Sequence, residues 1–230
     1  MKSSSKSSNA SQNQQPDWLR PQTIPSSAQD AARKYDKISE TYDSFTRTAN
    51  YKAPESAAEL LSQIIDQSDS KFSRASTILD AGCGTGLVGL ALANTGFTNI
   101  TGFDISPNSL SQAQAKQVYQ QLLTANLLEP LPFDTYQFEI VLCIGVFSRF
   151  DDTQIIQILT EFARITQPGG RLLFSHRSDL MERSELTEKL VKNPQFSVDL
   201  VTTPLPYLPD AEGYEEIGVQ YVVLTNIAKP

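Results

Sequence analysis

The residues best suited to chemistry are three glycines at alternate positions, Gly82, Gly84 and Gly86, which follow the apolar run at 77–81 and precede a helix-like segment. Glycine lacks a Cβ and tolerates positive φ, so such a loop lets backbone amides touch a ligand. In open α/β sheets, ligands bind at the carboxyl ends of the strands. The next apolar run ends at Asp104, eighteen residues beyond Gly86. An acid at that distance can accept both hydroxyls of a ribose. Loop and acid together point to a nucleoside site. Gly84-Thr85-Gly86-Leu87-Val88-Gly89 also spells the dinucleotide fingerprint G-x-G-x-x-G. Three observations count against a dehydrogenase. The loop opens about eighty residues into the chain, no Tyr is followed four residues later by Lys, and too little chain remains for a second catalytic domain.

These residues need a scaffold, and the hydropathy pattern supplies one. Short apolar runs at 77–81, 99–104, 118–123, 138–144 and 171–175 alternate with helix-like stretches at 88–94, 108–116 and 153–165. That alternation predicts an α/β fold, a mostly parallel sheet with helices on both faces. A charged helix is expected after Ser178. Runs at 196–202 and 219–227 follow, with only a turn-rich stretch around Pro204-Leu205-Pro206 between them, so the sheet should end in an antiparallel strand pair. Ahead of the sheet, 35–43 reads as a helix carrying Tyr35 and Tyr42 on one face. Ala53-Pro54-Glu55 opens another, whose stripe is Ala57, Leu60, Leu61, Ile64 and Ile65.

Composition narrows the function. The 230 residues suffice for one sizeable core. A net charge of -7 without a basic stripe argues against a dedicated nucleic-acid binder. Two cysteines, Cys83 and Cys143, and one histidine, His176, make neither a disulfide framework nor a metal site, so no metal is expected. No apolar stretch is long enough to span a membrane, and no secretory block opens the chain, so a cytoplasmic location is expected. Eleven of the thirteen residues from Ser3 to Gln15 are Ser, Asn or Gln, and residues 1–27 read as a disordered tail containing Trp18. The folded domain is expected over 28–230, with an N-terminal helical lid over about 28–70.

Ile78-Leu79-Asp80-Ala81-Gly82-Cys83-Gly84-Thr85-Gly86 resembles the first motif of class I S-adenosylmethionine-dependent methyltransferases. The likeness continues through Gly102-Phe103-Asp104-Ile105-Ser106, Asn126 ahead of Pro130-Leu131-Pro132-Phe133, Phe138-Glu139-Ile140-Val141-Leu142-Cys143, and Arg164-Ile165-Thr166-Gln167-Pro168-Gly169-Gly170. It covers roughly 28–227 and is closest to small-molecule methyltransferases that begin with a Tyr-Asp…Tyr-Asp helix. The resemblance implies a Rossmann-like fold and S-adenosyl-L-methionine as cofactor. Gly82, Cys83, Gly84 and Gly86 would line its methionine portion, with Asp80 supporting the loop. Asp104 and Ile105 would flank the ribose, and Asn126 and Leu127 the adenine. Asn126 stands where the family often has Asp, and its carbonyl oxygen can accept the same hydrogen bond. Ile144 and Gly145 would pass the cofactor's amino group, and Tyr35 and Tyr42 would form part of a lid.

The acceptor should approach from the ends of the fourth and fifth strands, which carry Phe147-Ser148-Arg149 and Ser175-His176-Arg177. His176 is either a general base or a histidine satisfying loop backbone. Arg149 and Arg177 are either a clamp for a carboxylate or phosphate or ordinary solvated charges. Tyr207 and Tyr214 either roof the pocket or pack within a loop. The segment Cys143-Ile144-Gly145-Val146-Phe147 lacks the Asn/Asp-Pro-Pro-Tyr/Phe loop of amide and adenine N-methyltransferases. A small organic acceptor, an anionic one included, is the leading expectation, methylated on oxygen, nitrogen or carbon. A cofactor-binding protein of the same fold without methyl transfer, and a protein or RNA methyltransferase, are the alternatives.

Overall fold

The computed structural model describes residues 27–228. The expected tail therefore lies outside the described residues except for Ser27, and so does Trp18. Ser27 caps the first helix, α1 (Ala28–Thr48), its Oγ accepting from Asp30 N. Asn50, at φ 55°, turns the chain into α2 (Ala53–Ile65), with Pro54 in its first turn. Ala57 and Leu61 of α2 are fully buried, whereas Leu60 and Ile64 lie at the edge of the same cluster.

The sheet then alternates with helices. In order come β1 (Ile78–Ala81), α3 (Leu87–Asn94), β2 (Ile100–Asp104), α4 (Pro107–Ala115), β3 (Gln121–Thr124) and β4 (Phe138–Cys143). A 3-10 turn (Phe147–Arg149) leads to α5 (Asp152–Ile165), β5 (Thr166–Arg177), α6 (Ser178–Arg183) and α7 (Leu186–Lys192). The chain closes with β6 (Phe196–Val201), β7 (Leu205–Pro206) and β8 (Gly218–Asn226). The sheet order is β3-β2-β1-β4-β5-β8-β6, with β7 also on β8. Strands β1 to β5 are mutually parallel, and β8 runs antiparallel to β5, β6 and β7.

Neighbouring residues of β1 feed opposite faces, as strand geometry requires. Ile78 joins Ile100, Ile140 and the helices α2 and α3 on one side. Leu79 joins Phe103, Val141 and the α5 residues Ile158 and Phe162 on the other. A strand buried on both faces reads as an unbroken apolar run, which is why these strands stand out in the sequence.

Three details depart from expectation. β5 starts at Thr166 rather than near 171, because its register on β4 shifts between Phe138 and Ile140 around Gly169, at φ 72°. The charged helix is two short ones. Ser184 interrupts it, its Oγ donating to Met181 O and accepting from Leu186 N in place of helical bonding. The turn-rich stretch also contributes β7, a two-residue edge strand on which Pro206 is tolerated. Among the described residues, no helix is long and apolar enough to cross a membrane.

Candidate functional site

Between β1 and β4 the strand order reverses direction, and beyond their carboxyl ends lies a cavity of about 420 Å³. The glycine loop forms its floor, and each glycine answers a different demand. Gly84, at φ 53°, would aim a Cβ into open space, so bare backbone faces the cavity there. Gly82 (φ 69°) would bring a Cβ to 2.8 Å from Val146. Gly86 (φ 88°) would press one to 3.0 Å from Ala113 and 3.1 Å from Tyr119. Gly82, Cys83 and Gly84 line the cavity, whereas Gly86 is a packing glycine at the start of α3. Burial pushes the Cys83 thiol well up, so it stays protonated.

Asp104 reaches across from β2. Its Oδ2 accepts from Gly84 N and its Oδ1 from Ser106 N, both at 2.9 Å. The Ile105 backbone amide also bonds it, and a carboxylate offers about four acceptor sites, so capacity remains for a ligand. Burial raises its pKa, opposed by these amides. Asp80 sits one layer back and does not line the cavity. It is 1% exposed and accepts from Tyr119 Oη at 2.6 Å, and that hydroxyl accepts from Gly89 N at 3.1 Å. Burial lifts Asp80 to about 7. Beside Asp104, Ile105, Asn126 and Leu127 form a slot. Asn126 Oδ1 accepts from Leu128 N at 3.1 Å, using one of its two lone pairs.

One face of α1 closes the cavity, through Ala31, Tyr35, Ile38 and Tyr42 at alternating spacings of four, three and four. The residue after each tyrosine ties the helix down. Asp36 Oδ1 accepts from Ser106 Oγ at 2.6 Å and Asn108 N at 3.1 Å, at the N-terminus of α4. Asp43 accepts from Thr85 Oγ1 and from Lys116 Nζ at 2.8 Å, and Lys116 also donates to Thr85 O. The repeat Tyr-Asp…Tyr-Asp thus gives tyrosines to the cavity and aspartates to the loops after β1 and β2. The sequence reading placed the tyrosines and missed the aspartates, although the repeat itself was the signal.

The far end of the cavity holds Ile144, Ser148, Arg149, Phe150, Tyr51 and Tyr207. Gly145 permits this crowding, since a Cβ there would lie 2.5 Å from Tyr51 Oη. Tyr51 and Tyr207 meet edge to face at 5.6 Å. Burial raises the pKa of Tyr35, Tyr42, Tyr51 and Tyr207, so all four remain protonated donors at neutral pH. Arg177 and His176 are not brought to this cavity. Arg177 pairs with Asp179 and stacks over Tyr214, which packs on Tyr207 from outside. Strand alternation turns Ser175 to accept from Gly145 N and sends His176 the other way. His176 is 4% exposed, its Nδ1 has no hydrogen-bond partner among the described residues, and burial lowers it to about 4. Among the described residues no cluster of His, Cys, Asp and Glu could hold a metal ion.

The donor set fits a nucleoside bearing an amino-acid tail. It comprises a bare backbone floor, a carboxylate with free acceptor sites and an apolar slot beside an amide. Residues 78–170 match the family described as a methyltransferase domain. The chain is 33% identical to human methyltransferase-like protein 27 over 191 residues, 76% of this chain and 74% of that protein. Among solved structures it is similar to the [4+2]-cyclase SpnF, with a TM-score of 0.69 and 13% identity over 90% of this chain and 98% of that one. It is also similar to geranyl diphosphate C-methyltransferase from Streptomyces coelicolor A3(2), in complex with S-adenosyl-L-homocysteine. There the TM-score is 0.56 at 15% identity, over 74% of each chain.

Proposed function

The chain belongs to the class I S-adenosylmethionine-dependent methyltransferases, and from that premise we propose that it methylates a small organic acceptor enclosed beneath α1. The observation that carries this reading is the cavity of about 420 Å³, floored by the glycine loop and closed by one face of α1. A site of that size and enclosure suits a cofactor and a small partner, with a macromolecule as the less favoured acceptor.

In this reading, the backbone of Gly82, Cys83 and Gly84 holds the methionine portion of the cofactor. Asp104 accepts from the ribose hydroxyls, and Ile105 and Leu127 sandwich the adenine beside Asn126. Ile144 and Gly145 border the amino group. Asp80 and Gly86 act from behind, fixing the loop against Tyr119 and Ala113. The cofactor supplies an electrophilic methyl group on a sulfonium. The chain's own contribution is to align an acceptor with that methyl group and exclude water, which Tyr35, Ile38 and Tyr42 do by covering the cavity. Oxygen, nitrogen and carbon acceptors all fit this description.

Calorimetric titration with S-adenosylmethionine, S-adenosylhomocysteine and NAD(H) tests the cofactor half. Binding of both sulfur nucleosides without NAD(H) is expected, and binding of NAD(H) alone would overturn it. Methyl transfer to a pool of small nucleophiles tests the acceptor half. Labelling confined to protein or RNA would overturn the small-acceptor reading. Cofactor binding without transfer to any acceptor would favour a binding role for the same fold.

A further inference from the structure

Resting on the cofactor reading above, we propose that Gln157, Glu161 and Arg164 of α5 are positioning residues for the adenine slot. They hold the loop that carries Asn126 so that the slot selects adenine over bases without its amino group. That loop, residues 125–137, joins β3 to β4 as irregular backbone. Its first residues, Ala125, Asn126, Leu127 and Leu128, line the cavity. Irregular backbone must find its hydrogen-bond partners outside a helix or ladder. Side chains of α5 supply them from positions four and then three residues apart, which share one helix face. Gln157 Nε2 donates to Leu128 O at 3.3 Å. Glu161 Oε1 accepts from Leu131 N at 2.8 Å, and Arg164 donates to Leu131 O at 3.1 Å and Phe133 O at 2.9 Å. Glu161 and Arg164 also pair at 2.6 Å. Such a pair on a helix surface contributes little by itself. Here each ion also bonds the loop, while Leu131 and Phe133 are buried and the Phe133 ring meets that of Phe103, next to Asp104.

What this grip fixes is the direction of one amide. Asn126 Oδ1 accepts from Leu128 N at 3.1 Å, and Asn126 Nδ2 donates to Glu129 Oε1 at 3.0 Å. Exchanging the two amide atoms would set N–H against N–H and oxygen against carboxylate, so one orientation is imposed. The lone pair left on Oδ1 suits the exocyclic amino group of adenine. It opposes the carbonyl that hypoxanthine carries at the same place. Leu128 joins the two halves of the device, since its N–H orients Asn126 and its carbonyl is held by Gln157. An aspartate at this position would offer oxygen at both atoms. An asparagine offers it at one, and only while Leu128 and Glu129 keep their places.

Calorimetric titration of the full-length protein with S-adenosylhomocysteine and S-inosylhomocysteine tests this. The wild type should prefer the adenine compound by about 5- to 150-fold, the worth of a buried polar group left unmatched. Glu161→Ala and Arg164→Ala should lose most of that preference. Glu161→Gln should keep most of it, because its amide oxygen can still accept from Leu131 N. A ratio unchanged in both alanine variants, even where both affinities fall together, marks a role in stability alone and overturns the proposal. So does a glutamine variant no better than alanine. Should the alanine variants fail to fold, Gln157→Ala decides, since Gln157 is exposed and loses only its bond to Leu128 O. A reduced ratio there supports the proposal, and an unchanged one overturns it. Wild-type protein that binds both compounds equally overturns the proposal and spares the cofactor reading. Wild-type protein that binds neither overturns both.

Discussion

Tyr119 and Asp80, thirty-nine residues apart, share a hydrogen bond of 2.6 Å directly beneath the glycine loop, and the same tyrosine oxygen receives Gly89 N. One phenol therefore fastens the end of β1 to the first turn of α3, the two elements that flank the loop. Its ring also fills the space that a side chain at Gly86, Gly89 or Gly102 would need.

This pair makes stability depend on pH. Burial raises Asp80 to about 7, so the folded protein retains a proton that the unfolded chain releases from about pH 4 upward. The contribution is full below about pH 4 and is lost as pH rises through 7. Urea denaturation of Asp80→Asn without cofactor should show a flatter pH dependence in that window. Tyr119→Phe should cost about 1–3 kcal/mol at neutral pH, since it leaves a buried carboxyl and an amide without their shared partner.

His176 contributes a slope of opposite sign. Burial lowers it to about 4, so its neutral form is favoured in the fold, and stability is lost as pH falls from about 6.5 toward 4. His176→Gln should remove that acid-side loss. The pH–rate profile between about 6.5 and 8 should be unchanged, because the imidazole already stays neutral there. Loss of a rise in rate with pH across that window would instead restore the general-base assignment.

Replacing Asp104 by Ala should weaken S-adenosylmethionine binding by about 10- to 150-fold, the worth of charge-assisted hydrogen bonds. Calorimetry reads this directly. Unchanged affinity would remove Asp104 from the ribose site and leave its backbone amides as its whole role.

The aspartates of α1 should govern closure more than folding. Asp36→Ala removes the bonds from Ser106 and Asn108, and Asp43→Ala those from Thr85 and Lys116. In the double variant, amide hydrogen exchange across α1 should speed up while β1 and β4 keep their protection. Cofactor and acceptor affinities should fall together.

The sequence made the sheet legible because its central strands are buried on both faces. Ile78-Leu79 and Ile140-Val141-Leu142 leave no polar alternation to confuse with a surface strand. The cavity floor was legible for a related reason, since Gly82 and Gly84 sit at positive φ, where other residues are strained. What stayed hidden depends on partners far along the chain. Nothing local to Asp36 announces Ser106, and nothing near Asp80 announces Tyr119. The direction of His176 follows from the register of β5 on β8, where it pairs with Gln220, and one residue of slip would have reversed it. The break at Ser184 was missed because a charged, helix-period run hides a serine that prefers local bonding.

The face of α1 that covers the cavity comes from a single 21-residue helix that precedes the sheet and is moored to it at two aspartates. The floor and the carboxylate of Asp104 come from a different stretch altogether. If the proposed roles hold, selection, or an engineer, can rewrite Ala31, Tyr35, Ile38 and Tyr42 as one exchangeable cassette and change what is admitted, while the residues proposed to handle the nucleoside are inherited intact.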